Sequence, residues 1–192
     1  MNDRLEQQLR AAAGSVGAPP FDATAFAARA SEEGLADVAY TTFESPVGEL
    51  LLAVTPRGLV RVAYADLEPA ERVLEAPGHL DEVRRQLDAY FDGRRHEFDL
   101  PLDWTLVGAF GRRVLGRTAR IPYGRVATYG EVARDIGSPR AARATGNALG
   151  GNPIPIVVPC HRVVRGTGAL GGYGGGPARK EQLLTLEGGL LG

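Results

Sequence analysis

Apolar residues in this chain change from helical spacing to continuous β-rich runs and back again, and these changes divide it into three parts. Leu5, Leu9 and Ala12 sit at helical spacing and predict a short helix over residues 3–13, broken by the Gly- and Pro-rich residues 14–20. Asp22 is placed to cap a second helix that buries Phe26 and Ala27 and stops at Gly34. β-branched and aromatic runs then predict strands over residues 38–43, 50–54 and 59–64. The last two are joined by Thr55-Pro56-Arg57-Gly58 as a hairpin. A helix over residues 80–91 follows, with Val83, Leu87, Tyr90 and Phe91 on one face and Gly93 ending it.

Past Pro101-Leu102-Asp103, which reads as a hinge, the period is helical again. Phe110, Val114 and Leu115 form the apolar stripe of a helix over residues 106–119, ended by Ile121-Pro122-Tyr123-Gly124. Thr128 and Glu131 have capping-box spacing for a helix reaching Ile136. Gly137-Ser138-Pro139 breaks it, and Pro139 suits the start of the next helix, over residues 140–149. Two short helices around a Gly-containing turn predict a helix-turn-helix. The fold class expected is α+β: a helical extension over 1–36, a small sheet-and-helix domain over 37–102, and a mainly helical, helix-turn-helix-like domain over 103–192.

Composition narrows the chemistry. A single cysteine in 192 residues rules out an intramolecular disulfide, and His79, His96 and His161 are too scattered for ligand spacing, so neither a metal nor a cofactor is expected. No apolar run is long enough to span a bilayer, and the first residues lack a signal-peptide layout, so the expectation is a cytoplasmic protein without a membrane partner. Residues 1–104 carry 10 Lys and Arg against 19 Asp and Glu, whereas residues 105–192 carry 12 against 4. A basic second half fits phosphate contact, and equally a solvated surface or attraction between the halves. In the second helix of the pair, Ala141, Ala142, Ala144, Thr145, Gly146 and Ala148 surround Arg143. Side chains this small permit close approach to another helix or to a nucleic-acid groove, the narrow minor groove above all.

The lone cysteine lies in Pro159-Cys160-His161-Arg162, after the apolar run Pro153-Ile154-Pro155-Ile156-Val157-Val158. On these residues alone two readings stand: an inert cysteine closing a core strand, or a nucleophile at the edge of an apolar pocket beside basic groups.

Taken together, Ile121-Pro122-Tyr123-Gly124, Thr128-Tyr129, Arg143-Ala144, Gly151-Asn152-Pro153-Ile154-Pro155, Pro159-Cys160-His161-Arg162-Val163, Gly172-Tyr173-Gly174-Gly175, Lys180, Leu183-Leu184 and Glu187-Gly188 resemble the O6-alkylguanine-DNA alkyltransferases. The resemblance is close over 121–188, looser over 38–104, and absent before residue 37. It implies a winged helix-turn-helix-like second domain and direct-reversal DNA repair, in which Cys160 takes the alkyl group from O6 of guanine in one irreversible, stoichiometric step. His161 would draw the thiol proton through a water, Glu187 would orient His161, Tyr129 would donate to the guanine, and Asn152 would brace the turn beside the active-site strand. Tyr173, Gly174, Pro155 and Val163 would bound the pocket for the flipped base. Arg140, Ala141, Arg143, Ala144, Thr145, Gly146, Gly150 and Gly151 would meet the minor groove of double-stranded DNA holding O6-alkylguanine, with the protein acting as a monomer. Family members commonly carry an arginine just before the Gly-Asn-Pro turn. Gly150 stands there instead, so a wedge at that place is missing, which leaves either Arg143 or another nearby arginine to compensate, or slower flipping. Two other functions stay open: a non-catalytic binder of alkylated DNA, whose relatives replace the cysteine, and a helix-turn-helix regulator that senses alkylation or redox state, for which no resolving thiol exists.

Overall fold

The computed structural model describes residues 38–66 and 80–188, so the extension over 1–36 and its two expected helices lie outside the described residues. Strands β1 (Ala39–Phe43), β2 (Leu50–Thr55) and β3 (Gly58–Tyr64) form an antiparallel sheet in that order, with β2 and β3 joined in the predicted hairpin. Phe43, Leu50, Leu52, Leu59 and Val62 face the core. A bulge at Ala53/Val54 shifts the register between β2 and β3. Helix α1 (Asp81–Phe91) buries Val83, Leu87 and Tyr90, and its Arg84 donates to Thr41 Oγ1 at 2.6 Å and to the Thr42 carbonyl at 2.7 Å, fixing the helix on β1.

The outer edge of β3 would leave a row of unpaired backbone groups, and the second half of the chain covers it. Leu59 N–H donates to the Pro101 carbonyl and Asp103 N–H to the Leu59 carbonyl, both at 2.8 Å, while Val62 N–H donates to the Pro153 carbonyl at 2.9 Å. Residues 101–103 are therefore a stitch between the halves, not the hinge expected of them. Gly58 permits the stitch: at φ +131°, a Cβ there would lie 2.2 Å from the Pro101 carbonyl oxygen. A single apolar cluster runs from Leu50 and Leu87 through Leu115 to Ile154 and Leu183, so both halves share one core.

Helix α2 (Ala109–Thr118) starts later than the predicted residue 106. Asp103 draws the preceding residues into a turn by accepting from Thr105 N–H at 2.9 Å and from its hydroxyl at 2.8 Å. After β4 (Ala127–Thr128), the capping box forms as the sequence predicts: Glu131 N–H donates to Thr128 Oγ1 at 3.1 Å, and Thr128 N–H donates to the Glu131 carboxylate at 2.6 Å. It opens α3 (Tyr129–Asp135), and α4 (Ala142–Gly150) completes the helix-turn-helix, with Pro139 left in the turn and not at the helix start.

The apolar run over residues 153–158 is not a strand. Prolines at 153, 155 and 159 lack the donors a ladder needs, and the chain makes successive turns with Ile156 at φ 73°. A 3-10 turn over Cys160–Arg162 follows, and β5 (Val163–Val164) pairs in parallel with β4, which ties the cysteine segment to the helix-turn-helix. Helix α5 (Pro177–Leu186) is entered through Gly176 at φ 88° with Pro177 in its first turn. Among the described residues no helix is long and apolar enough to cross a membrane, and no three His, Cys, Asp or Glu side chains group to hold a metal.

Candidate active site

Asn152 builds the turn that presents the sulfur. Its Oδ1 accepts from Ile154 N–H at 3.0 Å, and its Nδ2 donates to the Val158 carbonyl at 2.8 Å and to Cys160 Sγ at 3.2 Å. One side chain thus holds both ends of the turn containing Ile156 and places a donor on the sulfur. Cys160 is only 7 % exposed, and burial pushes its thiol up to about 11 against the Asn152 hydrogen bond and the nearby Lys180 charge. The resting group is a thiol and needs a base.

His161 lies next to it, fully buried. Its Nε2 is 3.0 Å from Glu187 Oε1, and its Nδ1 has no hydrogen-bond partner among the described residues. Burial lowers the imidazole pKa while Glu187 opposes that effect, so the ring is neutral near pH 7. Beside an ionised carboxylate, Nε2 must carry the hydrogen and donate, which leaves the Nδ1 lone pair as the basic site.

Glu187 anchors a dense set of donors. Arg162 grips it with Nε on Oε2 and Nη2 on Oε1, both at 2.8 Å, Tyr90 donates its hydroxyl to Oε1 at 2.7 Å, and Gly124 N–H reaches Oε2 at 3.3 Å. Burial works against a charge here, yet the hydrogen bonds from His161 and Arg162 hold the carboxyl at about 2. The sequence offered Arg162 only as a basic neighbour of the cysteine and Tyr90 only as an apolar-face residue of its helix, and linked neither to Glu187. A signal for Arg162 was available, because an arginine inside an apolar segment needs a buried carboxylate, and Glu187 was the carboxylate already named.

Lys180 also went unassigned. It is fully buried, and Nζ donates to the Val163 carbonyl at 2.6 Å and to the Gly172 carbonyl at 3.3 Å, tying the loop before α5 to the cysteine segment. Burial lowers its pKa to about 8.

Two cavities meet at Cys160. One of about 220 Å³ is lined by Tyr129, Gly146, Leu149, Gly150, Gly172, Tyr173 and Gly174. The other, of about 240 Å³, adds Asn152, Pro155, Gly151 and Gly175 and reaches Arg61 and Tyr64 of β3. Tyr129 is held between helix and loop: its ring rests on Gly146, its hydroxyl donates to the Gly172 carbonyl at 3.5 Å, and Gly171, at φ +71°, would place a Cβ 2.8 Å from that hydroxyl.

The residues expected at the site thus fall into groups. Cys160, Asn152, Tyr129, Tyr173, Gly174 and Pro155 line the cavities, with His161 and Glu187 in direct contact behind them. Val163 does not line either cavity: its side chain is sealed in the core, and it offers its carbonyl to Lys180. Arg140, Arg143, Ala144, Gly150 and Gly151 are exposed, and Ala141 and Gly146 are half-buried. Thr145 cannot meet a groove as expected, because it is 0 % exposed on the inner face of α4.

Residues 38–104 match the 6-O-methylguanine DNA methyltransferase ribonuclease-like domain, and residues 109–189 match the 6-O-methylguanine DNA methyltransferase DNA binding domain. A methylated-DNA–protein-cysteine methyltransferase of Mycolicibacterium paratuberculosis is 47 % identical over 154 residues, covering 78 % of this chain and 92 % of its own. One of Methanosarcina acetivorans is 43 % identical over 155 residues, covering 78 % of this chain and 97 % of its own. The crystal structure of Mycobacterium tuberculosis OGT in complex with DNA is similar at a TM-score of 0.72 and 46 % identity, over 78 % of this chain and 92 % of that one.

Proposed function

Because the chain belongs to the methylated-DNA–protein-cysteine methyltransferase family, we propose that it removes the alkyl group from O6-alkylguanine in double-stranded DNA by one irreversible transfer to Cys160. The observation that carries this reading is the position of the only cysteine in the sequence, at the meeting point of two cavities and next to a buried His161–Glu187 pair. A non-catalytic binder is disfavoured by the presence of that cysteine and by relatives named as methyltransferases.

The target atom is unreachable inside a duplex, so the guanine leaves the stack and enters the cavity lined by Tyr129. The thiol resists ionisation and His161 is a weak base, so a thiolate is not populated at rest and proton loss accompanies attack. The thiol proton passes to His161 Nδ1 through a water. Sulfur bonds to the alkyl carbon as the carbon–O6 bond breaks. The bonding pair moves into the guanine ring, which takes a proton donated by Tyr129. The proton held by His161 restores the Tyr129 hydroxyl by way of solvent, and Cys160 remains a thioether. Glu187 acts through His161, as a positioning residue that fixes its tautomer.

On the DNA side, α4 offers small exposed residues to the minor groove, and Arg143 is exposed in its first turn. The lone thiol and the DNA substrate suit a cytoplasmic monomer. Incubating the protein with a duplex bearing O6-methylguanine leaves one methyl group on the Cys160 peptide by mass spectrometry; an adduct on another residue overturns the reading.

Gly150 gives a separate check on the DNA face. A Cβ there meets nothing within 4 Å, and its φ is not positive, so Gly150→Arg fits without moving the backbone. It adds a cation beside the groove-facing helix, so duplex binding tightens at low salt and the slope of log affinity against log salt steepens by about one. Equal slopes in the two proteins, measured by fluorescence anisotropy, would remove α4 from the DNA interface.

A further inference from the structure

The two cavities beside Cys160 are not equivalent. The one holding Tyr129 lies wholly within the second half of the chain, whereas the larger one reaches across to β3. With the purine in the first, displacement requires sulfur, carbon and O6 to lie in line, so the remaining atoms of the substituent project to one side of that line. The space available there is the larger cavity. On the function proposed above, the O6 substituent occupies this cavity, and we infer that Tyr64, supplied by the first-half sheet, sets the largest substituent Cys160 can accept.

Tyr64 is built as a fixed wall. It is 4 % exposed, its hydroxyl is 2.8 Å from the Tyr173 hydroxyl, and the Arg179 guanidinium lies 4.4 Å from its ring centroid. Arg179 is locked in turn: Nη2 is 2.9 Å from each carboxylate oxygen of Asp66, Nε donates to the Val47 carbonyl at 2.8 Å, and Nη1 donates to the Gly175 carbonyl at 3.2 Å. There is no slack on the loop side, where a Cβ at Gly175 would fall 2.3 Å from the Tyr64 ring. A phenol held from three directions cannot swing aside for a bulky group. At about 240 Å³ the cavity exceeds the size at which an apolar cavity binds benzene, roughly 150 Å³. The expected result is that a single ring is accepted and that a second, fused ring meets Tyr64.

The test compares single-turnover transfer rates from oligonucleotides carrying O6-methyl-, O6-benzyl- and O6-(2-naphthylmethyl)guanine. The ratio to methyl cancels any change in duplex binding. Tyr64→Ala raises the naphthylmethyl-to-methyl ratio by about tenfold or more, and Tyr64→Trp lowers the benzyl-to-methyl ratio by a similar factor, the scale on which pockets discriminate by size. Tyr64→Val, which suits a strand, replaces the alanine variant if that one does not fold. Unmoved ratios, or methyl and bulky rates falling in equal proportion, show that Tyr64 only supports the loop and overturn the proposal while leaving the function intact. Absence of a methyl adduct on the unaltered protein overturns both.

Discussion

Cys160→Ser accepts no methyl group from O6-methylguanine DNA, whereas the unaltered protein accepts one per chain and then stops. The serine hydroxyl is far less acidic than a thiol that is itself pushed up to about 11, and a neutral oxygen is a poor nucleophile toward saturated carbon. No second cysteine can substitute for it. Loss of the nucleophile therefore lowers transfer by more than about 10⁴-fold, the scale seen when such a group is removed from other sites. Serine is nearly the same size, so the turn held by Asn152 survives and DNA binding persists. Quenched time courses followed by peptide mass spectrometry check both points, and appreciable labelling of the serine variant contradicts the mechanism.

Glu187→Gln has the next largest effect, on two observables. It removes the charge that balances Arg162 while leaving the guanidinium buried, which costs about 3–5 kcal/mol of stability. The folded carboxyl, at about 2, lies below the value near 4.3 of an unfolded glutamate, so its contribution is complete above the unfolded value and is lost as pH falls toward 2. That contribution is about 3 kcal/mol. Urea titrations from pH 7 to pH 3 therefore show falling stability in the unaltered protein and a shallower fall in the variant. Transfer slows as well, by about 10²-fold, the lower range for acid–base assistance. A merely structural role would leave the pH profile alone. Here Glu187 opposes the lowering of the His161 pKa, so its loss moves the acid limb of the rate profile to lower pH. An acid limb that stays in place separates Glu187 from the proton path.

Local signals carried much of this structure in the sequence. Thr128 and Glu131 specify a helix start through their own side chains, and the β-branched and aromatic runs over 38–43 and 59–64 favour strands by local composition. What stayed hidden depends on partners distant in sequence. The run over 153–158 looks like a core strand by apolarity, and only the Asn152 hydrogen bonds and the prolines make it a turn. Tyr64 is 109 positions from the Tyr173 it touches, and nothing in the β3 pattern distinguishes a cavity wall from an ordinary core residue. Residues 101–103 read as a hinge because Pro-Leu-Asp is a breaker locally, while the β3 edge they satisfy cannot be seen from their own composition. Cys160, His161, Asn152, Tyr129 and Glu187 were legible as a set through a resemblance of motif. The Arg162 and Tyr90 donors that hold Glu187 in its charged state emerged only from the three-dimensional arrangement.

Lys180 is the only lysine in the sequence, and its ammonium is enclosed by two carbonyl groups with none of its surface in contact with solvent. In the native state, acylating reagents such as succinimidyl esters, and any enzyme that attaches acetyl or ubiquitin to a side-chain amine, therefore find nothing to modify apart from the chain's amino terminus. Side-chain amine labelling of this protein reports directly on the opening of its active-site loop, and its rate should track unfolding when urea is added.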